Sequence, residues 1–178
     1  MKRLVVVMMV ALIATGSVCA QSGKRYNTAN MQQAEVLMNE GKLNESLRCY
    51  EAELKEHPKN PYAHFMMTTI YMEQRKYDYA MQAIDKTLKY MPKNQKRLRG
   101  ISHAIKASIH SNFSEWEEAV KQLSLCLSTL PDDADSYQDR AAAYRQRAEV
   151  YKMLGQNEQA EQDIKKAEEL MSLVKSSN

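Results

Sequence analysis

Three prolines constrain this chain more than any other feature. Pro58 and Pro92 each end a long amphipathic stretch and stand 34 residues apart, and Pro131 ends a third. A helix cannot continue through proline without losing a hydrogen bond and meeting a steric clash, so each marks a helix end. Counting from Asn27 places Ala34, Leu37, Gly41, Tyr50 and Pro58 at positions 8, 11, 15, 24 and 32. Counting from Pro61 places Thr68, Tyr71, Ala80, Ile84 and Pro92 at positions 8, 11, 20, 24 and 32. From Gly100 the same offsets give Ala107, Ala119, Leu123, Cys126 and Pro131, and from Ala141 they give Ala148, Tyr151, Gly155, Ala160, Ile164 and Ala167. Four copies emerge, and a fixed period of this length restricts the chain to a row of like supersecondary units.

The units should be helical. Five glycines, four prolines, two phenylalanines and one tryptophan in 178 residues leave too few turn and strand formers for an all-β sandwich or barrel. A charged fraction of 26% with mixed signs, interleaved with regularly spaced apolar residues, excludes a low-complexity tail protein. First helices are expected near 28–40, 61–74, 95–112 and 134–154, and second helices near 43–57, 77–91, 115–130 and 157–174. The third and fourth first helices are lengthened, by five residues and by seven, the latter nearly two helical turns. Asp132 or Asp133 should cap the fourth, with Gly155 stopping it, and Ser114 with Glu117 reads as a capping box opening the helix that follows. Gly100 inside a helix costs about 1 kcal/mol relative to alanine, so a kink or a close helix contact is expected there. In the last helix Ala160, Ile164, Ala167, Met171 and Val174 form one apolar stripe on an otherwise polar cylinder, as a terminal cap requires, so the chain reads as complete.

This pattern resembles the tetratricopeptide repeat, a helix–turn–helix of 34 residues with small residues at positions 8, 20 and 27 and proline at 32. The resemblance covers 27–174, divided into 27–60, 61–94, 95–133 and 134–174. It departs from the family at position 4, where tryptophan is replaced by Asn30, His64, His103 and Tyr144, and at Ser46 in position 20 of the first copy. The implied fold is an all-α, right-handed superhelix of four helical hairpins, with first helices lining a concave groove. The family's groove positions correspond here to Met31, Glu35, Met38, Tyr62, Phe65, Thr69, Met72, Ser108, Arg145, Glu149 and Lys152, among others. Methionine and aromatic residues at those places suit either an adaptable peptide-binding surface or ordinary packing between repeats. A carboxylate clamp built from lysine and asparagine is disfavoured at the first copy, because Met31 and Glu35 occupy its positions.

Residues 1–20 read as an export signal: Lys2 and Arg3, an apolar run from Leu4 to Ala14, then Val18, Cys19 and Ala20 before Gln21. Cleavage after Ala20 would leave a short lead, 21–26, before the repeats and a tail, 175–178, after them. An uncleaved anchor and a lipoprotein acylated at Cys19 are the alternatives, although the run is shorter than the roughly 20 residues of a spanning helix. The export reading places the protein in the periplasm or outside the cell. It also changes the charge: residues 1–20 carry two of the 25 bases and none of the 22 acids, so the remainder carries 23 against 22, or +1. A near-neutral chain provides no global field for nucleic acid or membrane. Locally, Lys86, Lys89, Lys93, Lys96, Arg97, Arg99 and Lys106 occur with no acid among them, as a solvated helix junction or a landing site for an acidic partner segment.

No catalytic, metal or cofactor pattern accompanies the repeats. Cys49 and Cys126 fall two repeats apart, beyond disulfide reach in a solenoid, and read as packing residues. His103 and His110 are seven residues apart, not the four that converge on one ion, and His57 and His64 lack a companion. Glycine-rich phosphate loops and nucleophile elbows are missing. The sequence thus implies a non-enzymatic adaptor binding another protein or a peptide segment. Self-association through outward residues such as Tyr77, Tyr79 and Tyr90 is the alternative. Less favoured is a small-ligand or glycan module lined by Tyr137, Tyr144 and Tyr151, whose spacing of seven also fits a packing seam.

Overall fold

The computed structural model describes Tyr26 and residues 28–176, and these contain eight α-helices and no strand. In chain order they are α1 (Ala29–Asn39), α2 (Leu43–Glu56), α3 (Pro61–Glu73), α4 (Tyr77–Tyr90), α5 (Lys96–Asn112), α6 (Trp116–Thr129), α7 (Tyr137–Met153) and α8 (Asn157–Ser176). Successive helices pair as hairpins, α1 with α2, α3 with α4, α5 with α6 and α7 with α8. The chain forms two compact units, one ending at Met91 with the first two hairpins and one beginning at Pro92 with the last two. The expected signal segment lies outside the described residues.

The first helices α1 and α3 start on side-chain caps, whereas α5, after Gln95, and the second helices α2, α4 and α6 do not. Thr28 Oγ1 accepts from the Met31 amide at 3.2 Å, and Asn60 Oδ1 accepts from the amides of Tyr62 and Ala63 at 3.0 and 3.3 Å, with Pro61 in the first turn of α3. Of the two expected caps on α7, Asp133 is used: its carboxylate accepts from the Ser136 amide at 3.0 Å and opens a 3-10 turn, Ala134–Ser136, that runs into the helix.

Each hairpin turns on a single left-handed residue: Gly41, Arg75, Ser114 and Gly155, with φ of 75°, 57°, 61° and 73°. After each of them an amide reaches back across the helix end, from Lys42 to the Leu37 carbonyl, Lys76 to Tyr71, Glu115 to His110 and Gln156 to Tyr151, at 2.8 to 3.0 Å. This is the Schellman termination, which satisfies the last carbonyls and reverses the chain tightly. The expected capping box at Ser114 is therefore corrected. Ser114 is the turn residue itself, and α6 begins at Trp116 after Glu115 without a side-chain cap.

Small residues at the repeated offsets let paired helices approach. Ala34, Thr68, Ala107 and Ala148 at position 8, and Ser46, Ala80, Ala119 and Ala160 at position 20, are all at most 1% exposed. Position 27 holds Glu53, Thr87, Cys126 and Ala167, equally buried. The hydroxyls among them are satisfied: Ser46 donates across the crossing to the Ala34 carbonyl of α1 at 2.7 Å, and Thr87 donates within its own helix to the Ala83 carbonyl at 3.0 Å. Around these crossings Tyr50, Phe65, Ile70 and Ile84 fill the first unit, and Ile109, Leu123, Leu127 and Leu130 the second. Gly100 makes the close contact its position predicts, since a Cβ there would stand 2.6 Å from Leu130 Cγ.

Candidate functional site

In the first unit, most of the expected groove side chains point into the protein. Met31 and Phe65 are 0% exposed, Thr69 2% and Tyr62 3%, so these four pack inside the unit and line no open surface there. Glu35, Met38 and Met72 are half-buried and reach the surface of α1 and α3. The packing alternative thus describes Met31, Tyr62 and Phe65, while Met38 and Met72 remain as thioether surface.

Behind that face lies a polar hub that spacing did not reveal. Glu53 of α2, 0% exposed, accepts from Thr28 Oγ1 and, at 2.8 Å, from Asn60 Nδ2. Thr28 and Asn60 are the caps of α1 and α3, so one buried carboxylate ties both first helices to the second helix between them. Its third neighbour is His57, whose Nδ1 lies 3.1 Å away, near enough for an ion pair although not aligned for a hydrogen bond. The available signal was a glutamate at position 27, where the repeat otherwise takes a small residue.

In the second unit, Ser108 is 4% exposed and serves as a lock. Its hydroxyl donates to the Ala104 carbonyl at 3.2 Å and accepts from Gln146 Nε2 at 2.7 Å, joining α5 to α7. Arg145 and Lys152 stand exposed on α7, with half-buried Glu149 between them. Lys152 Nζ donates to Glu149 Oε1 at 2.7 Å, and Met153 beside it is 53% exposed. At spacings of four, three and one, these residues occupy one face of the helix, opposite the buried Ala143 and Val150.

Tyr144 and Tyr151 form a packing seam. The Arg147 guanidinium lies 5.5 and 5.7 Å from their ring centroids, within cation–π range. It makes paired hydrogen bonds to Asp163 of α8 at 2.7 and 2.9 Å and a third to Ser124 of α6 at 2.9 Å. Asp163, 3% exposed, falls within the apolar stripe of α8, and a carboxylate at a core position was the signal for this contact.

The acid-free basic stretch is divided by the fold. Lys86 and Lys89 are exposed on α4, with Lys89 Nζ 5.5 Å from the Tyr90 ring. Lys93 and Lys96 are exposed at the start of the second unit. Arg97, with 51% of its side chain exposed, is paired within this set: its Nε donates to Asp139 of α7 at 2.6 Å, and Asp133 and Asp135 lie nearby. Arg99 and Lys106 are half-buried on α5.

Cys49 and Cys126 are free thiols in different units. Burial pushes the Cys126 thiol up to about 12, so it stays protonated and unreactive at neutral pH. Among the described residues, no group of three His, Cys, Asp or Glu side chains is placed to hold a metal ion, and no helix is long and apolar enough to cross a membrane.

No protein-family model matches this chain, and no curated protein does so. Solved structures do. MamA from Desulfovibrio magneticus RS-1 superposes with a TM-score of 0.67 over 79% of this chain and 73% of its own, at 12% identity. MamA of strain MSR-1 gives 0.64 over 86% and 83% at 18% identity, and MamA of strain AMB-1 gives 0.63 over 79% and 70% at 21%. Likeness at such low identity speaks for architecture, and these neighbours are all-helical and tetratricopeptide-like. The chain therefore has the all-α tetratricopeptide-type fold that its repeat spacing implies.

Proposed function

We propose that this protein is a non-enzymatic adaptor of the cell envelope that binds a segment of a partner protein on the outer face of its first helices. The observation that carries this reading is the α7 stripe of Arg145, Glu149, Lys152 and Met153, which alternates charge with an exposed thioether while the other side of the helix is locked into the core. Half-exposed Met38 and Met72 offer a second, more apolar contact in the first unit. Methionine repacks cheaply against different side chains, and charged neighbours supply orientation. The signal-like pattern of residues 1–20 supports export.

A second reading, self-association through the second helices, is favoured by Tyr79 on α4 and Leu125 on α6, 58% and 40% exposed. Crosslinking in cells followed by capture on a 21–178 bait separates the two. Partner capture that is lost in Arg145→Glu/Lys152→Glu or in Met38→Ala/Met72→Ala supports the adaptor. Recovery of the bait alone, sensitive to Tyr79→Ser/Leu125→Ser, replaces it with self-association.

A further inference from the structure

The four histidines fall into two classes by what surrounds them. His57 Nδ1 lies 3.1 Å from Glu53 and His110 Nδ1 lies 2.6 Å from Glu115, so each of these rings has a carboxylate in place for its protonated form. His64 and His103 have none among their partners. His64 is 5% exposed, its ring stacked on Tyr90 of α4 at 6.1 Å between centroids, with Nε2 3.2 Å from the Pro58 carbonyl oxygen. The charged group facing it is Lys86 of α4. His103 is half-buried on α5, with Nδ1 2.9 Å from Gln122 Oε1 of α6, and the charged groups facing it are Arg99 and Lys106 of its own helix.

The two rings occupy the same place in successive repeats, position 4, where the first helix of each hairpin meets its own second helix. Tryptophan there would pack with no charge to gain. Imidazole packs equally flat when neutral, but on protonation it puts a cation into a half-dry site beside lysine or arginine. The geometry points to an acid-sensitive pair: protonation of His64 and His103 weakens the packing of α3 on α4 and of α5 on α6, loosening the second and third hairpins while the fourth stays closed. This goes beyond the adaptor reading and does not depend on it.

The direction follows from linkage. Burial, the largest effect, outweighs the acceptors Pro58 O and Gln122 Oε1, which favour the protonated rings, and together with the neighbouring cations it holds both rings below the ordinary imidazole value of 6.5. The unfolded chain then binds more protons than the folded one below about pH 6.5, so stability is full above that pH and falls as the pH drops through it toward the folded values. Each unit of depression on one ring lowers the folding constant about tenfold.

Urea unfolding of the full chain between pH 7.5 and 5 tests this, with His64→Gln/His103→Gln compared against His57→Gln/His110→Gln. The expected result is a wild-type folding constant that falls at least tenfold across the window, a fall largely removed in the first variant and retained in the second. Histidine ring resonances of the wild type, followed by NMR over the same range, give a readout that needs no variant to fold. His64 and His103 should titrate below the free-imidazole range, with amide exchange quickening in α3–α4 and α5–α6 before α7–α8. Titration of both rings at or above that range, or a pH dependence unchanged in His64→Gln/His103→Gln, overturns the inference.

Discussion

Arg75 and Ser114 hold backbone conformations that the other two hairpins give to glycine. An L-residue in the left-handed region costs about 1–2 kcal/mol, and glycine avoids that at the expense of a more flexible unfolded chain. Both side chains are exposed, so no packing offsets the strain. Arg75→Gly and Ser114→Gly should therefore each raise stability by about 0.5–1 kcal/mol, read as a higher urea midpoint at unchanged slope. Gly155→Ala is the reciprocal case: a Cβ there meets nothing within 4 Å, so a loss of about 1 kcal/mol would come from the backbone alone. A neutral result at all three positions would show that the turns relax. The sequence marks the end of α7 at Gly155 because glycine favours a left-handed residue there, whereas Ser114 misleads because serine more often caps a helix from outside.

Helices were legible for the same kind of reason, and their fastenings were not. Proline stops, Asp133 and the small residues at fixed offsets act within one or two turns of chain, so their spacing survives in the sequence. Arg97 meets Asp139 across 42 residues and Arg147 meets Asp163 across 16, and nothing local distinguishes these arginines from solvated ones. Met31 and Phe65 show the converse, since family position alone placed them on a surface while their burial belongs to the packing of neighbouring helices. The Arg147 contact joins α6, α7 and α8 with only 15% of the arginine side chain and 4% of the aspartate exposed. A buried pair loses about 3–5 kcal/mol when one partner is removed, because the other charge is left without compensation. Asp163→Ala should thus cost about 3 kcal/mol, whereas Lys152→Ala, which breaks an exposed pair on the same helix α7, should cost under about 0.5 kcal/mol. Equal losses in the two variants, measured by chemical unfolding, would mean that water reaches Asp163 and that the contact is an ordinary surface pair.

At the scale of the molecule, every fastening named above lies inside one unit. Glu53 gathers the caps of α1 and α3 before Met91. After Pro92, Arg97 reaches Asp139, Gln146 reaches Ser108, and Arg140 of α7 donates to the carbonyls of Leu127 and Leu130 at the end of α6, at 3.1 and 3.3 Å. Repeat proteins draw their stability from each unit and its nearest neighbours, and domains of about 55–65 residues already fold alone. Residues 92–178 exceed that size and contain four helices, a buried core and each of the second unit's ion pairs. Produced without the first unit, this fragment should show a helical circular dichroism spectrum and a single cooperative thermal transition. Because its contacts are formed mainly between helices adjacent in the chain, refolding should be complete within milliseconds. A helical signal that melts gradually and binds a hydrophobic dye would instead mean that the second unit takes its tertiary order from residues before Pro92, and the chain would then fold as one cooperative body despite its two cores.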